Sequence, residues 1–462
     1  MADSTRILDK EITRRQALGV MGATVAACAT GMAWPKTSRA QRPPNVVFIL
    51  TDDHRWDHMS NVGHPFLKTP RLDGLVQQGV RFNNAFVTTS LCSPSRASFL
   101  TGNYAHRHGV KNNLTPFDQD RNTTFIELFK QAGYDTAFIG KWHMPGELPD
   151  LKGADLFVTF TVQAGQGRYY DCPLIVNGEP EPSRKAYITE ELTDRAIEFM
   201  EERKDRPFCL YLSHKAVHHQ FLPPPDLSEL YANVKLDLPD EADPWISWSR
   251  GMIYTGVMGP LDHVYRNYCE TLASVDRQVG RVLDWLDENG LADDTILVYA
   301  GDNGYFWGEH RLVDKRWPYE ESIRVPFIVR HPKSVRRPGT AADQMVLNVD
   351  LAPSLLEMAG LPVPRDMQGE SFVPYLKNRR KRGRDAWMYE YFKDFPYNVP
   401  EHTAVRTDRY KYVRYQGGRG DELYDLVEDP REMHNLIGTA KGDELKPRLA
   451  ARLDELEKEG AA

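Results

Sequence analysis

The chain is poor in cysteine and carries no excess of positive charge. Only five of its 462 residues are cysteine, and the formal net charge is −7. This balance argues against a nucleic-acid-binding surface, so we expect no nucleic-acid partner and infer that an anionic ligand would need local positive charge. No internal repeat or low-complexity tract is evident, which leaves an ordinary globular chain that is long enough for two or three domains.

A long apolar run is also missing, except near the N-terminus. Residues 17–34 are apolar but rich in Gly and Ala, and too short for a confident membrane span. Arg14 and Arg15 precede this run, which predicts a twin-arginine (Tat) export signal and a periplasmic or extracellular protein, although a frayed amphipathic start is the alternative. Cleavage after 38–40, or lipid attachment at Cys28, would end the leader 1–40.

Without the leader, four cysteines remain: Cys92, Cys172, Cys209 and Cys269. If Cys92 has a chemical role, at most one disulfide can form within the chain. Cys209 lies in an apolar segment and is expected to be a buried thiol.

Four apolar segments, each followed at once by polar residues, predict buried strands. Helical patterns at 124–132, 188–203 and 272–289 separate them. This alternation indicates an α/β fold with a large, mainly parallel sheet that is covered by helices on both faces. Ligands of such sheets bind beyond the carboxyl ends of the strands. The four segments are 45–50, 135–139, 208–212 and 295–300.

Two of these strand ends carry oxygen ligands. Asp52 and Asp53 follow the first segment, and Asp302 and Asn303 follow the last. Adjacent carboxylates repel one another unless a cation or base neutralises them. The set therefore predicts a hard divalent ion, Ca²⁺ before Mg²⁺, although an Asp-Asp pair alone is more often a helix cap or turn.

Residues 91–102 form the stretch around which the rest is arranged. Ser93 or Ser95 is expected to cap a short helix that Gly102 ends, with Pro94 in its first turn. Cys92 would then lie near a helix N-terminus, which favours an anion. Arg96 adds a permanent positive charge one turn later. A buried cysteine beside a structural arginine is the alternative.

Cys92, Pro94 and Arg96, followed by Ala-Ser-Phe-Leu-Thr-Gly at 97–102, resemble the signature of the type I sulfatases in the alkaline-phosphatase-like superfamily. The resemblance implies that a formylglycine-generating or sulfatase-maturing enzyme oxidises Cys92 to formylglycine (3-oxoalanine), whose hydrate is the nucleophile. Export of the folded protein would allow this modification to occur first in the cytoplasm. It also implies metal ligation by the modified Cys92 together with Asp52, Asp53, Asp302 and Asn303, the last replacing a histidine of some relatives.

The same resemblance extends to other strand ends. Lys141 and His143 lie in a second signature, 140–143, and Lys315 ends a stretch that supplies a sulfate-binding lysine in the family. A catalytic histidine is expected after the third segment. His218 is the preferred general acid, and His214 is the alternative.

These residues together imply a sulfuric ester hydrolase. Arg96 would help to hold the modified Cys92, Lys141 and Lys315 would stabilise the sulfuryl oxygens, and His143 would remove a proton to release sulfate. A sulfated carbohydrate is the expected substrate, because five aromatic residues could stack on sugar rings, although aromatic residues at such spacing are just as often part of the core. The five are Tyr169, Tyr170, Trp245, Trp248 and Trp307.

Two other functions remain open. A phosphoester hydrolase of the same superfamily normally has Ser or Thr at the position of Cys92. An inactive sulfatase-like binding protein is the second alternative, and the intact set of site residues argues against it.

The pattern changes after residue 364. A hairpin at 404–407 and 410–415, a short strand at 422–426 and a polar helix at 443–459 are expected. These elements resemble the small C-terminal domain of the sulfatases, an antiparallel sheet with a helix. We therefore predict a catalytic domain at 41–364 and a small α+β subdomain at 365–462.

Overall fold

The structure is a computed structural model that describes residues 42–146, 148, 150–242, 260–378 and 381–461. The leader with its arginine pair, Cys28, Trp245 and Trp248 lie outside these ranges. Within them, no helix combines the length and the apolar character that crossing a bilayer requires.

The largest element is a sheet of ten strands. Its order is β12-β2-β11-β8-β1-β7-β3-β4-β5-β6. The ten strands, numbered with all others in chain order, are β1 (Asn45–Thr51), β2 (Val80–Phe86), β3 (Asp135–Gly140), β4 (Leu156–Thr159), β5 (Leu174–Val176), β6 (Glu179–Glu181), β7 (Phe208–Ser213), β8 (Thr295–Gly301), β11 (Phe327–Arg330) and β12 (Thr340–Leu347).

The sheet is mainly parallel, as predicted. β1 pairs in parallel with β7 on one side and β8 on the other, and β3 pairs in parallel with β7 and β4. Antiparallel pairing is confined to β11, which lies between β2 and β8, and to β5 and β6 at the edge. The four predicted segments are all strands, and each extends one residue beyond the sequence prediction.

Helices cover both faces of this sheet, because its central strands are apolar on both sides. Val47 and Ile49 of β1 belong to one core cluster, whereas Val46, Phe48 and Leu50 belong to another. The helices are α1 (Pro70–Gln78), α2 (Cys92–Thr101), α3 (Ala105–His108), α4 (Phe125–Gln131), α5 (Ile188–Arg203), α6 (Leu261–Glu288), α7 (Glu320–Ile323), α8 (Leu351–Ala359), α9 (Val373–Lys377) and α10 (Ala440–Ala461).

Two helix predictions need comment. α5 has the predicted bounds, but α6 begins at Leu261, eleven residues before the predicted start at 272. Leu261, Val264 and Tyr268 are buried at helical spacing, so the apolar face of α6 extends further than the sequence pattern suggested.

The predicted small antiparallel sheet is present. It contains β13 (Ala386–Tyr391), β14 (His402–Thr407), β15 (Tyr410–Tyr415) and β16 (Glu422–Asp425), in that order. Leu445, Leu449 and Leu453 of α10 pack on Val405 and Tyr412 of this sheet. The domain boundary after residue 364 stays a prediction. A separate pair, β9 (Phe306–Trp307) and β10 (Val313–Asp314), follows β8.

Candidate active site

The carboxyl ends of three strands supply most of the predicted site. Asp52 and Asp53 follow β1, Asp302 and Asn303 follow β8, and Lys141 follows β3. Because the strands are parallel, these ends meet at one edge of the sheet. Ligand atoms of Asp52, Asp302 and Cys92 lie within 4.8 Å of one another.

Helix α2 brings Cys92 to this edge. The helix begins at Cys92 itself, Leu91 is its N-cap, and no side chain caps it. The prediction that Ser93 or Ser95 caps the helix was therefore wrong. Ser93 Oγ instead donates to the His143 carbonyl at 2.5 Å, because its side chain faces the neighbouring strand end. Gly102 ends the helix with a φ of 70°, in the left-handed conformation that glycine tolerates.

The Cys92 thiol lies between a carboxylate and an ammonium group. Its Sγ is 3.7 Å from Asp52 Oδ1 and 3.8 Å from Lys141 Nζ. Burial raises the pKa of the thiol to about 12, although Lys141 and Lys315 act in the opposite direction. The unmodified thiol is therefore neutral near pH 7 and differs from the low-pKa thiolates that act as nucleophiles elsewhere.

Asp52 is ionised because cations surround it. Lys141 forms an ion pair with Asp52 Oδ2, and Arg96 Nη2 lies 3.6 Å from Oδ1. Burial alone would raise the pKa of Asp52, but the charges of Lys141, Arg96 and Lys315 hold it well below its usual value. This carboxylate can therefore act as an anionic ligand.

Arg96 forms hydrogen bonds that hold the acidic side chains of the site in place. It donates through Nε and Nη2 to Asp302 Oδ2, and through Nη1 to the Lys141 carbonyl at 2.9 Å and to Ser213 Oγ at 2.6 Å. The other oxygen of Asp302 accepts the backbone N–H of Asp53 at 2.9 Å. Both Asp302 and Asp53 are thus fixed relative to the guanidinium.

Asp53 and Asn303 leave two oxygens unused. Asn303 Nδ2 donates to Asp53 Oδ1 at 2.6 Å, and Lys315 pairs with the same oxygen. Asp53 Oδ2 and Asn303 Oδ1 are buried with no hydrogen-bond partner among the described residues. Burial raises the pKa of Asp53 to about 7, and Lys315 opposes this change. Two unsatisfied oxygens beside ionised Asp52 fit a hard divalent cation.

One other group of three ligand side chains occurs in the described ranges, and it fits a metal poorly. It consists of His58, His64 and Cys269. The backbone N–H of Leu67 donates to His64 Nδ1 at 3.0 Å, so His64 Nε2 carries the proton and faces the Tyr265 hydroxyl at 3.1 Å. His64 therefore has no free lone pair for a metal at this position.

The two candidate histidines differ sharply. His218 Nε2 lies 4.0 Å from Asp53 Oδ2, and His218 Nδ1 lies 2.8 Å from the His219 carbonyl. His214 is fully buried, and neither of its ring nitrogens has a hydrogen-bond partner in the described part of the chain. Burial lowers the pKa of His214 to about 3. The geometry therefore brings His218, rather than His214, to the acids.

His143 follows β3 and contacts Gln166. Its Nε2 is 2.7 Å from Gln166 Nε2, whereas its Nδ1 is buried without a partner among the described residues. Burial, together with Lys141, lowers the pKa of His143 well below its usual value. Because Gln166 Nε2 donates to His143 Nε2, the proton of the neutral ring is on Nδ1, and the ring can accept a further proton only at Nε2.

Comparison with known proteins identifies the family of this chain. Residues 44–361, more than half of the chain, match the profile named Sulfatase. The chain belongs to the sulfatase family. Residues 308–459 match a second profile, described as the C-terminal part of N-sulphoglucosamine sulphohydrolase. The protein is thus a type I sulfatase of the alkaline-phosphatase-like superfamily and a sulfuric ester hydrolase.

Individual relatives cover almost the whole sulfatase. An N-acetylglucosamine-6-O-sulfatase of Bacteroides thetaiotaomicron is 32% identical over 509 aligned residues, which cover 94% of this chain and 89% of that protein. A solved structure in complex with its substrate, D-glucosamine-2-N,6-O-disulfate, has a TM-score of 0.84 and 32% identity, and covers 91% of this chain and 98% of its own. A phosphonate monoester hydrolase of Agrobacterium radiobacter has a TM-score of 0.73 at 24% identity, covers 90% of this chain and 96% of its own, and is similar in fold alone.

Two of the five aromatic residues predicted to stack on sugars are unsuited to that task. Tyr169 and Trp307 are each only 1% exposed. The Tyr169 hydroxyl donates to the His218 carbonyl, and Trp307 packs on Tyr268 and Phe221. Their ring faces are therefore part of the core, and the stacking prediction for these two residues was wrong.

Sequence reasoning missed three residues of the sulfatase site. Ser213 accepts a hydrogen bond from Arg96, Gln166 contacts His143, and Lys215 lies buried next to the histidine loop. Ser213 is the last residue of β7 and Lys215 lies two residues beyond it, so their place at a strand end was a usable signal. Gln166 lies in an irregular segment, where no comparable signal exists.

Proposed function

We propose that this sulfatase cleaves a sulfate ester of an amino sugar, as found in glycosaminoglycan-type glycans, with formylglycine at position 92 and a bound Ca²⁺. The observation that carries the catalytic part is the position of Cys92, at the first residue of α2 and within 4 Å of both Asp52 and Lys141. The substrate class is supported by the relative named for N-acetylglucosamine 6-O-sulfate and by the neighbour that binds a disulfated glucosamine.

The metal would be held by hard oxygens. Asp53 Oδ2 and Asn303 Oδ1 are the unsatisfied atoms, and Asp52 and Asp302 supply the remaining carboxylates, with residue 92 beside them. Mg²⁺ is the second choice, because it demands a stricter geometry than Ca²⁺. When bound, the ion would supply positive charge that stabilises negative charge on the sulfuryl oxygens.

Formylglycine would supply the hydroxyl that attacks sulfur, a role for which the neutral, buried Cys92 thiol is poorly suited. We propose that a maturing enzyme forms it before Tat export, and that the mature protein works in the periplasm or outside the cell. Attachment through Cys28 remains an alternative to release of the leader.

The protein's own side chains have distinct proposed tasks. Lys141 and Lys315 would donate to the sulfuryl oxygens, where negative charge increases in the transition state. Arg96 would keep Asp302 and Asp52 in their orientation through its buried hydrogen bonds.

Two histidines would move protons at stated atoms. Because His218 Nδ1 donates to the His219 carbonyl, His218 Nε2, on the side of Asp53, would donate a proton to the departing sugar oxygen from the doubly protonated ring. His143 Nε2, the nitrogen that accepts the hydrogen bond from Gln166, would give up that bond and take a proton from the hydroxyl at residue 92 so that sulfate is released.

The test is release of sulfate from defined sugars by protein that was produced together with a maturing enzyme. We expect turnover of N-acetylglucosamine 6-sulfate and of glucosamine 2-N,6-O-disulfate, and none with Cys92→Ala. A parallel comparison of nitrophenyl sulfate with nitrophenyl phosphate separates the alternatives. Faster phosphate release would indicate a phosphoester hydrolase, and glycan binding without release of either anion would indicate an inactive binding protein.

A further inference from the structure

Lys215 is a buried cation without an anionic partner. It is only 1% exposed, and no carboxylate within the described residues forms an ion pair with it. Its ammonium lies 4.5 Å from the centre of the Tyr169 ring and 3.5 Å from the His219 carbonyl. A buried ammonium that uses so little of its hydrogen-bonding capacity is unfavourable in isolation.

The other cations of the site are all paired. Lys141 pairs with Asp52, Lys315 with Asp53, and Arg96 with Asp302. Lys215 is as deeply buried as Lys141 and Lys315, which are 0% and 2% exposed. Burial and the charge of Lys141 lower the pKa of Lys215 to about 8, so the nearby acids do not compensate for its position. The missing anion must therefore come from elsewhere.

The position of Lys215 indicates which part of a substrate it would meet. His218 Nε2 faces Asp53, whereas His218 Nδ1 faces the His219 carbonyl that Lys215 also contacts. Lys215 therefore lies beside the His218 ring, at the carbonyl that His218 Nδ1 also faces. If His218 protonates the departing sugar oxygen, the sugar lies against this ring, and Lys215 is close to the sugar.

We infer that Lys215 binds a second anionic group of the substrate, such as an N-sulfate on the same sugar. This inference rests on the proposed function, because it assumes a sulfated amino sugar in the site. Under this inference Lys215 determines substrate specificity, whereas Lys141 and Lys315 bind the ester that is cleaved. The neighbour with a disulfated glucosamine shows that a site of this fold can accept two such groups at once.

The experiment compares two substrates that share the 6-sulfate and differ at the 2-position. Glucosamine 2-N,6-O-disulfate carries the second anion, and N-acetylglucosamine 6-sulfate does not. Lys215→Met keeps the length of the side chain but removes its charge. We expect the ratio of kcat/KM for the disulfate over the N-acetyl substrate to fall about ten- to a hundredfold, because a charge-assisted hydrogen bond is lost. Lys215→Arg should restore most of the ratio.

The matched control is Lys185→Met. Lys185 is half exposed and lies 3.5 Å from Asp194, remote from the site, so its loss should leave the ratio unchanged. An equal loss for both substrates in Lys215→Met would overturn the inference, since it would place Lys215 at the cleaved ester or under His218. An unchanged ratio would overturn it as well.

A binding measurement tests the inference about Lys215 independently of the proposed function. Calorimetry with glucosamine 2-N-sulfate, which carries only the second anion, requires no turnover. Weaker binding to Lys215→Met than to the wild type supports the inference even if neither 6-sulfate is cleaved, in which case the proposed function alone fails. Equal affinities, or no binding by the wild type, contradict it.

Discussion

Arg96 donates to a single oxygen of Asp302 from two nitrogens, Nε at 3.0 Å and Nη2 at 2.8 Å. Both side chains are buried, and the only other carboxylate near this guanidinium within the described ranges is Asp52, at 3.6 Å. The pair therefore links α2, which carries Cys92, to the end of β8. Removal of either side chain would leave the other one buried without most of the opposite charge that stabilises it.

The first prediction is that Asp302→Ala strongly destabilises the protein. We expect a loss of about 3–5 kcal/mol in the free energy of unfolding, because Arg96 stays buried without its main partner. Asp302→Asn keeps an acceptor oxygen and should lose less. Denaturant unfolding after exhaustive chelation measures this without a contribution from bound metal.

The control for this prediction is Asp284→Ala. Asp284 pairs with Arg71, but the two side chains are 55% and 39% exposed, so we expect a change of about 0–1 kcal/mol. Equal stability of Asp302→Ala and Asp284→Ala would show that the Arg96 pair has no structural role.

The second prediction concerns residue 92. Peptide mass spectrometry of active protein should show that Cys92 has lost its sulfur and gained an aldehyde. Cys92→Ser should fold normally, because the change at this buried site is small, and should lose activity on the order of a thousandfold or more. Fully active protein with an unmodified Cys92 would refute the proposed chemistry.

The third prediction concerns the metal. Chelation should abolish activity, and Ca²⁺ should restore it better than Zn²⁺, because the available donors are oxygens. Saturating Ca²⁺, at about 100 times Kd, should also stabilise the fold by roughly 2.7 kcal/mol. Asn303→Ala should reduce both the stabilisation and the metal content determined by elemental analysis.

The control here is His64→Ala, which alters the second ligand cluster. Because His64 Nδ1 accepts the Leu67 N–H, we expect this variant to keep its metal content. Loss of metal from His64→Ala but not from Asn303→Ala would move the site to the other cluster.

The sequence was sufficient to group the acids and Lys141, because carboxyl ends of parallel strands share one edge of a sheet. Asp52 and Asp302 are 250 positions apart, yet their strands β1 and β8 are direct neighbours. The sulfatase signature then connected Cys92 to the same edge. Local pattern and family motif thus pointed to one place.

Other features depend on tertiary packing, which a local pattern does not encode. The start of α2 at Cys92 rather than after it is set by the contact of Ser93 with His143. His214 and His218 are both histidines in one loop, and only the packing of that loop buries the first and turns the second towards Asp53. Trp307 is an aromatic residue of the kind that stacks on sugar rings, but its side chain lies in the core.

The fourth prediction is a pH dependence far from the site. His106 Nδ1 lies 2.8 Å from Glu390 Oε2, and its Nε2 lies 2.9 Å from the Gly460 carbonyl at the end of α10. Two acceptors favour the protonated ring, although burial opposes it, so the pKa of His106 is raised. The resulting stabilisation is complete below the unfolded pKa of about 6.5 and is lost as pH rises through the higher folded value.

Because His106 is partly exposed, the effect should stay below about 1 kcal/mol. Hydrogen exchange of the last turn of α10 should become faster between pH 6 and pH 9, beyond the intrinsic change in exchange rate. His106→Asn should remove this additional dependence. Both proteins keep Arg107, which opposes protonation of His106, and Gln368, which also donates to the Gly460 carbonyl. Equal pH dependence in the two proteins would contradict the assignment.

The last prediction tests His218 as the general acid. Nitrophenolate leaves readily without a proton, whereas a sugar alkoxide is a poor leaving group and needs one. His218→Ala should therefore slow hydrolysis of carbohydrate sulfate more than hydrolysis of nitrophenyl sulfate, with a difference of about 10²–10⁴ between the two substrates. His214→Ala should show a smaller and more even loss, because the His214 ring is buried and neither of its nitrogens has a hydrogen-bond partner in the described chain. If the dependence on the leaving group follows His214 instead, the two roles must be exchanged. If it follows neither histidine, Lys315 is the next group to test, since its ammonium lies on the same Asp53 carboxylate that His218 faces.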